Sequence, residues 1–143
     1  MKKLFLSAVA AMLAVTAFSQ KIDIHVTGAD VTVYTISNGN VIQDYPKPLN
    51  TTYSIDLSNN SMRWVCPAYN ADESISIRSS VIDSVVTITY QANGLYQNIV
   101  VPVTFEINLK TNKILWTKLD SEVDEKTVYE FSRFTLKQNL LNI

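Results

Sequence analysis

Residues 53–65 read YSIDLSNNSMRWV, and residues 105–117 read FEINLKTNKILWT. The two stretches lie 52 residues apart and match at Tyr53/Phe105, Ile55/Ile107, Leu57/Leu109, Asn60/Asn112 and Trp64/Trp116. In each, apolar residues alternate with polar ones, a polar centre intervenes, and a second apolar run follows. That is the pattern of a β-hairpin with one buried face. Turns at Ser58–Ser61 and Lys110–Lys113 would set Leu57 against Met62, Ile55 against Trp64 and Tyr53 against Cys66. The second copy would set Leu109 against Ile114 and Ile107 against Trp116. Cross-strand partners share a face, and a slip of one residue would turn that face to water. Trp64 and Trp116 are therefore expected as core aromatics. The likeness reads as a recurrent hairpin solution. The alternative is an old duplication around a central apolar cavity.

The rest of the chain extends this β pattern. Ile22, Ile24 and Val26 alternate with polar residues, Gly28-Ala29-Asp30 suggests a turn, and Val31–Ser37 suggests a second strand. Asn38-Gly39 is a strong hairpin signal, because both residues tolerate positive φ. Asn40–Tyr45 would return, and Pro46 and Pro48 would end the pairing because proline has no N–H to donate. Further strands are expected at Glu73–Arg78 and Ser84–Gln91, then over Leu95–Leu109 with Pro102 dividing it at an edge or bulge, and at Ile114–Lys118. The stretch Ala92-Asn93-Gly94 reads as a turn. Thr127-Val128-Tyr129-Glu130 fits a capping box behind acidic residues, so residues 128–141 are read as a C-terminal helix. The expected fold is mainly β: a small antiparallel β-barrel or two-layer β-sandwich of about nine or ten strands, with that helix at the end.

The first residues have a different character. Lys2 and Lys3 precede the apolar run Leu4–Val15, and Ala17 and Ser19 are small residues before Gln20. This is the layout of a secretory signal peptide, and the run is short of the roughly 20 residues that a membrane helix needs. Residues 1–19 are thus expected to be cleaved, leaving residues 20–143 as one domain with no integral membrane segment. The destination would be the periplasm or the medium, and the short Lys-Lys start suits a bacterial source.

Composition limits the chemistry. The 143-residue chain carries 12 basic and 13 acidic residues, for a formal charge of −1. That balance gives no electrostatic footprint for nucleic acid. One Cys and one His exclude an internal disulfide, Cys-cluster metal sites and two-imidazole sites. His25 sits at the polar phase of the first strand, where a surface or packing role is the simpler reading. Cys66, on the face of Tyr53 and Trp64, reads as a buried thiol. Asp120, Glu122 and Asp124 begin like an EF-hand loop, but Glu125 and Phe131 stand where that loop needs Gly and Glu. No catalytic, metal or cofactor site is assigned, and the chain is read as a non-enzyme.

What remains is apolar and aromatic strand surface, which must pack on itself, a ligand or a partner. The expected function is an exported binding or protein-interaction module, with Tyr45 and Tyr69 as exposed binding residues. One alternative is a carrier of a small apolar ligand in a lipocalin-like barrel, a likeness of architecture alone. Another is a minimal hydrolase built on two facing carboxylates.

Overall fold

The computed structural model describes residues 20–93 and 99–140. The expected signal peptide, the turn at Gly94 and the start of the run from Leu95 lie outside the described residues. Nine strands form a single antiparallel sheet. They are β1 (Lys21–Thr35), β2 (Val41–Asp56), β3 (Ser61–Cys66), β4 (Ala71–Ser76), β5 (Arg78–Ile82), β6 (Val85–Asn93), β7 (Val100–Asn108), β8 (Lys113–Asp120) and β9 (Glu125–Gln138). The spatial order is β4-β3-β2-β1-β9-β8-β7-β6-β5. The sheet curls into a nearly closed barrel, so one sheet does the work of the sandwich's two.

The two edge strands are one run of chain. β4 pairs with β3, and after Ile77 the same run continues as β5 and pairs with β6. Ile77 marks the handover. Its side chain is 5% exposed in the core, and its N–H donates to the Asn60 carbonyl at 2.9 Å. Above the handover, β4 and the end of β6 face each other with no ladder between them.

The two echo hairpins form alike, with a register two residues from the expected one. Tyr53 pairs with Trp64 and Ile55 with Met62, as Phe105 pairs with Trp116 and Ile107 with Ile114. A shift of two preserves the face, so the apolar set still points inward. Its cause is turn chemistry. Asp56 Oδ1 accepts the Ser58 and Asn59 N–H groups, and Asn108 Oδ1 accepts those of Lys110 and Thr111. Asn60 and Asn112 then take positive φ, 50° and 57°. These side-chain-to-backbone bonds close each turn earlier, and Leu57 and Leu109 enter the turns.

The expected C-terminal helix is not present; residues 125–138 form β9. Its inward positions are Tyr129 and Phe131, then Phe134 and Leu136, with the phase broken between Phe131 and Phe134. β1 breaks phase at the same level, with Ile22, Ile24 and Val26 inward, then Ala29, Val31 and Val33. The expected turn at Gly28-Ala29-Asp30 is this irregularity inside one long strand. A β-bulge flips later side chains to the other face, which erased the simple alternation that would have marked a strand. Thr, Val, Tyr and Phe suit a pleated surface, and β1 and β8 flank this segment on both sides. A Cβ at Gly28 would come within 2.7 Å of Arg133 Nε, so the flexible arginine side chain would have to move.

Pro46 and Pro48 do not end β2, which runs through them. β3 pairs only with Thr52–Asp56, so the prolines stand where β2 has β1 alone as neighbour. An edge tolerates a missing donor. Pro102 is placed similarly, paired to Gln91 on β6 just beyond the last β7–β8 pair, Val103 with Lys118. The Asn38-Gly39 signal does yield a hairpin, through the longer connection Ile36–Asn40 with Gly39 at φ 72°. The two-residue turn with both φ positive is Asp83-Ser84, between Ile82 and Val85.

The core fills one end of the barrel. Ile22, Ile24, Ile55, Met62, Val86, Ile88, Phe105, Ile107 and Ile114 are fully buried there. Tyr53, Phe105 and Phe131 cap it as a ring cluster, with Phe105 edge-on to Tyr53 at 4.9 Å and to Phe131 at 5.6 Å.

Candidate functional site

Above the ring cluster the barrel is hollow. Two adjoining cavities, about 430 and 320 Å³, share a wall made by Tyr53, Trp64, Ala92, Asn93 and Trp116. Both result from the inward phase of the strands. Reading up β2 from Ile55, the inward positions are Tyr53, Thr51, Leu49 and Lys47. On β8 they are Ile114, Trp116 and Lys118, and on β6 they are Val86, Ile88 and Tyr90. Large aliphatic side chains thus fill one end, and aromatic and polar ones line the other.

The larger cavity lies beneath the β4–β6 seam, with Glu73 and Ile75 on one side and Tyr90 and Gln91 on the other. One of its polar contacts is an indole–phenol pair. Trp116 Nε1–H donates to the Tyr90 hydroxyl at 2.8 Å, and Tyr53 lies opposite Trp64 across the β2–β3 ladder. Burial pushes the Tyr90 phenol up to about 12, with the Trp116 bond working the other way. Burial also drives Tyr53 well above its ordinary value, and its neighbours Tyr90, Cys66 and Tyr129 add to that. Both phenols therefore stay protonated at neutral pH. Tyr90 accepts from an indole and keeps its own O–H to donate.

The smaller cavity has a different character. It is lined by Lys47, Thr51, Cys66, Tyr69, Lys118 and Tyr129 among others. Lys47 Nζ donates to the Tyr129 hydroxyl at 3.2 Å and lies 5.5 Å from that ring's centroid. Burial opposes the charge of Lys47, but the Tyr129 bond and the nearby phenols of Tyr129, Tyr69 and Tyr45 outweigh it and raise its pKa. The ammonium is therefore fully protonated.

Of the residues singled out from sequence, Tyr69 lines the smaller cavity beside Lys47 and Tyr45 lines neither cavity. Tyr69 is 72% exposed, on the short 3-10 turn Pro67–Tyr69, and Tyr45 is 39% exposed on β2. Trp64 and Trp116 pack on the core from above and form the cavity wall. Cys66 is buried, with the Thr51 hydroxyl 3.6 Å from its sulfur. His25 lies on the face opposite Ile24 and Val26, and its Nδ1 is 3.0 Å from Thr52 Oγ1. Asp124 ties two turns together: its carboxylate accepts the Ser37 N–H at 2.9 Å and the Ser37 hydroxyl at 2.6 Å. Among the described residues no group of three or more His, Cys, Asp or Glu side chains is placed to hold a metal ion.

Sequence reading missed Lys47, Tyr53, Tyr90, Lys118 and Tyr129 as site residues. The signal for them was parity. Continuing each strand's inward phase past its last aliphatic residue leads directly to these positions. Comparisons with known protein families, with curated proteins and with solved structures find no match to this chain.

Proposed function

We propose that this chain is an exported, non-enzymatic binding protein that holds a small molecule in the hollow end of its barrel. The observation that carries this reading is the aromatic-walled cavity pair, whose volumes fall within the range of small-molecule sites, roughly 300–1,000 Å³. Two indoles and four phenols offer ring faces for stacking, and the hydroxyls of Tyr53 and Tyr90 supply polar contacts. Among the described residues lining the two cavities, Glu73 is the single carboxylate. A two-carboxylate hydrolase would need a second, so the non-catalytic reading has more support. Export rests on the sequence pattern before Gln20. Gln20 itself makes the first barrel contacts, accepting from the Leu57 N–H and donating to Ser58 Oγ, so cleavage just before it would leave the sheet intact.

The test is a titration with phenylnaphthylamine, an uncharged aromatic probe, read by energy transfer from Trp64 and Trp116. Saturable one-to-one binding that is weakened in Tyr90→Ala supports the reading. Absence of saturable binding by the native protein refutes it. A second reading, a protein-docking rim, is favoured by the exposure of Ile36, Val41, Ile42 and Tyr69.

A further inference from the structure

We propose that the ligand is an amphipathic anion, with its acidic group received by Lys47 and Lys118 and its ring or chain held against the aromatic wall. This deepens the binding reading and rests on it. The two lysines line the same cavity from β2 and β8, with β1 and β9 between them. The convergence follows from strand phase, since both are inward positions that extend an otherwise apolar row.

The charge arrangement points to an anion. Ion pairs among the described residues join Arg63 to Asp72 and Lys113 to Glu130, all on the exterior. Neither Lys47 nor Lys118 has a described carboxylate within ion-pair distance. Glu73 lines the neighbouring cavity and not this one. An anion seated in this cavity would be attracted by both ammoniums. Lys47 uses one of its three N–H donors on Tyr129, which fixes its position and leaves two to give. The surrounding groups reinforce the preference. Tyr69 and Tyr129 carry hydroxyls that can donate, as does Tyr53 on the shared wall. A carboxylate, sulfonate or phosphate would meet donors throughout.

The cavity also explains why the anion should be amphipathic. The lysine lobe shares the walls of Tyr53, Trp64 and Trp116 with the larger cavity. An acidic group seated at Lys47 and Lys118 would place its attached rings or chain against those walls.

The experiment compares anilinonaphthalene sulfonate with phenylnaphthylamine, which shares its ring system but lacks the acidic group. Both are titrated against native protein and against Lys47→Met, Lys118→Met and the double variant. The signal is energy transfer from the two tryptophans that line the cavity. The sulfonate should bind native protein about tenfold more tightly than the neutral probe, or about 1.4 kcal/mol, and the advantage should shrink with added salt. The double variant should lose that advantage while keeping its affinity for the neutral probe, and Lys47→Arg with Lys118→Arg should restore it. Equal affinity for both probes in native protein, or equal loss of both in the double variant, overturns the anion assignment and leaves the cavity reading standing. Failure of both probes to bind native protein overturns the binding reading itself.

Discussion

Replacing Phe105 by Ala should cause one of the largest single losses of stability in this barrel. The ring is 0% exposed and sits edge-on to both Tyr53 and Phe131. Truncating a buried Phe typically costs about 3–5 kcal/mol, from lost transfer energy and the void left behind. Each aromatic pair adds about 0.5–1.5 kcal/mol beyond area, which places this site toward the upper end, near 4–5 kcal/mol. The surroundings cannot collapse to fill the gap, because Tyr53 and Phe131 are fixed by paired strands on both sides. Against a total of roughly 5–15 kcal/mol for a domain, that is a large share. With a urea slope of about 1–3 kcal/mol per M, the midpoint should fall by roughly 2 M. Urea unfolding followed by tryptophan fluorescence measures this. Phe105→Leu, which keeps a branched apolar side chain, should recover most of the loss. A midpoint for Phe105→Ala within about 0.5 M of native at an unchanged slope would show that the ring cluster does not hold the barrel together.

Three further outcomes are expected. Because burial pushes the Tyr90 phenol up to about 12, the folded state holds its proton more tightly than the unfolded chain; this contribution is complete below about pH 10, the ordinary tyrosine value, and is lost as pH rises toward 12, so the melting temperature should fall across that window and stay flat if the phenol is exposed. Cys66 is buried beside Thr51 and should alkylate slowly in native protein and rapidly in urea; equal rates would place the thiol at the surface. Asp124→Ala removes both bonds to Ser37 and puts a Cβ-only side chain at φ 56°, and should cost about 1–2 kcal/mol with faster amide exchange confined to residues 35–40 and 121–125; exchange unchanged there would refute the tie between these turns.

Sequence made most of the strands visible wherever turn chemistry and alternation agreed. The echo hairpins show this, since Asn60 and Asn112 mark the turn and the aliphatic rows mark the face. The two-residue error in register came from Asp56 and Asn108. A side-chain bond to the next backbone amides decides where a turn closes, and alternation is blind to it. The long strands β1, β2 and β9 were harder, for a single reason. A phase break at Gly28 or near Arg133 imitates a turn or a helix to any reading that assumes constant period, while Pro46 and Pro48 imitate a stop unless the strand is known to be an edge there. The cavity was the least legible part. Lys47 and Lys118 look like solvated lysines until their strands are seen to continue inward, and only closure of the barrel sets them together. Tyr45 and Tyr69 drew notice because aromatics beside Pro46 and Pro67 stand out locally, although Tyr45 lies on β2 and not in a loop.

The place of β9 has a consequence for how the chain matures. Every other ladder joins strands that follow one another along the chain. β9 alone pairs with its immediate predecessor on one side and with β1, about a hundred residues upstream, on the other. Until it arrives the chain holds two four-strand sheets, β1–β4 and β5–β8, connected only through the run at Ile77. Each then presents a naked strand edge, which is a template for pairing with other chains. β9 is thus a keystone, and the chain stays open to mispairing until it locks in. Closing so long a loop is also a slow, non-local step, so folding should be governed by insertion of residues 125–138.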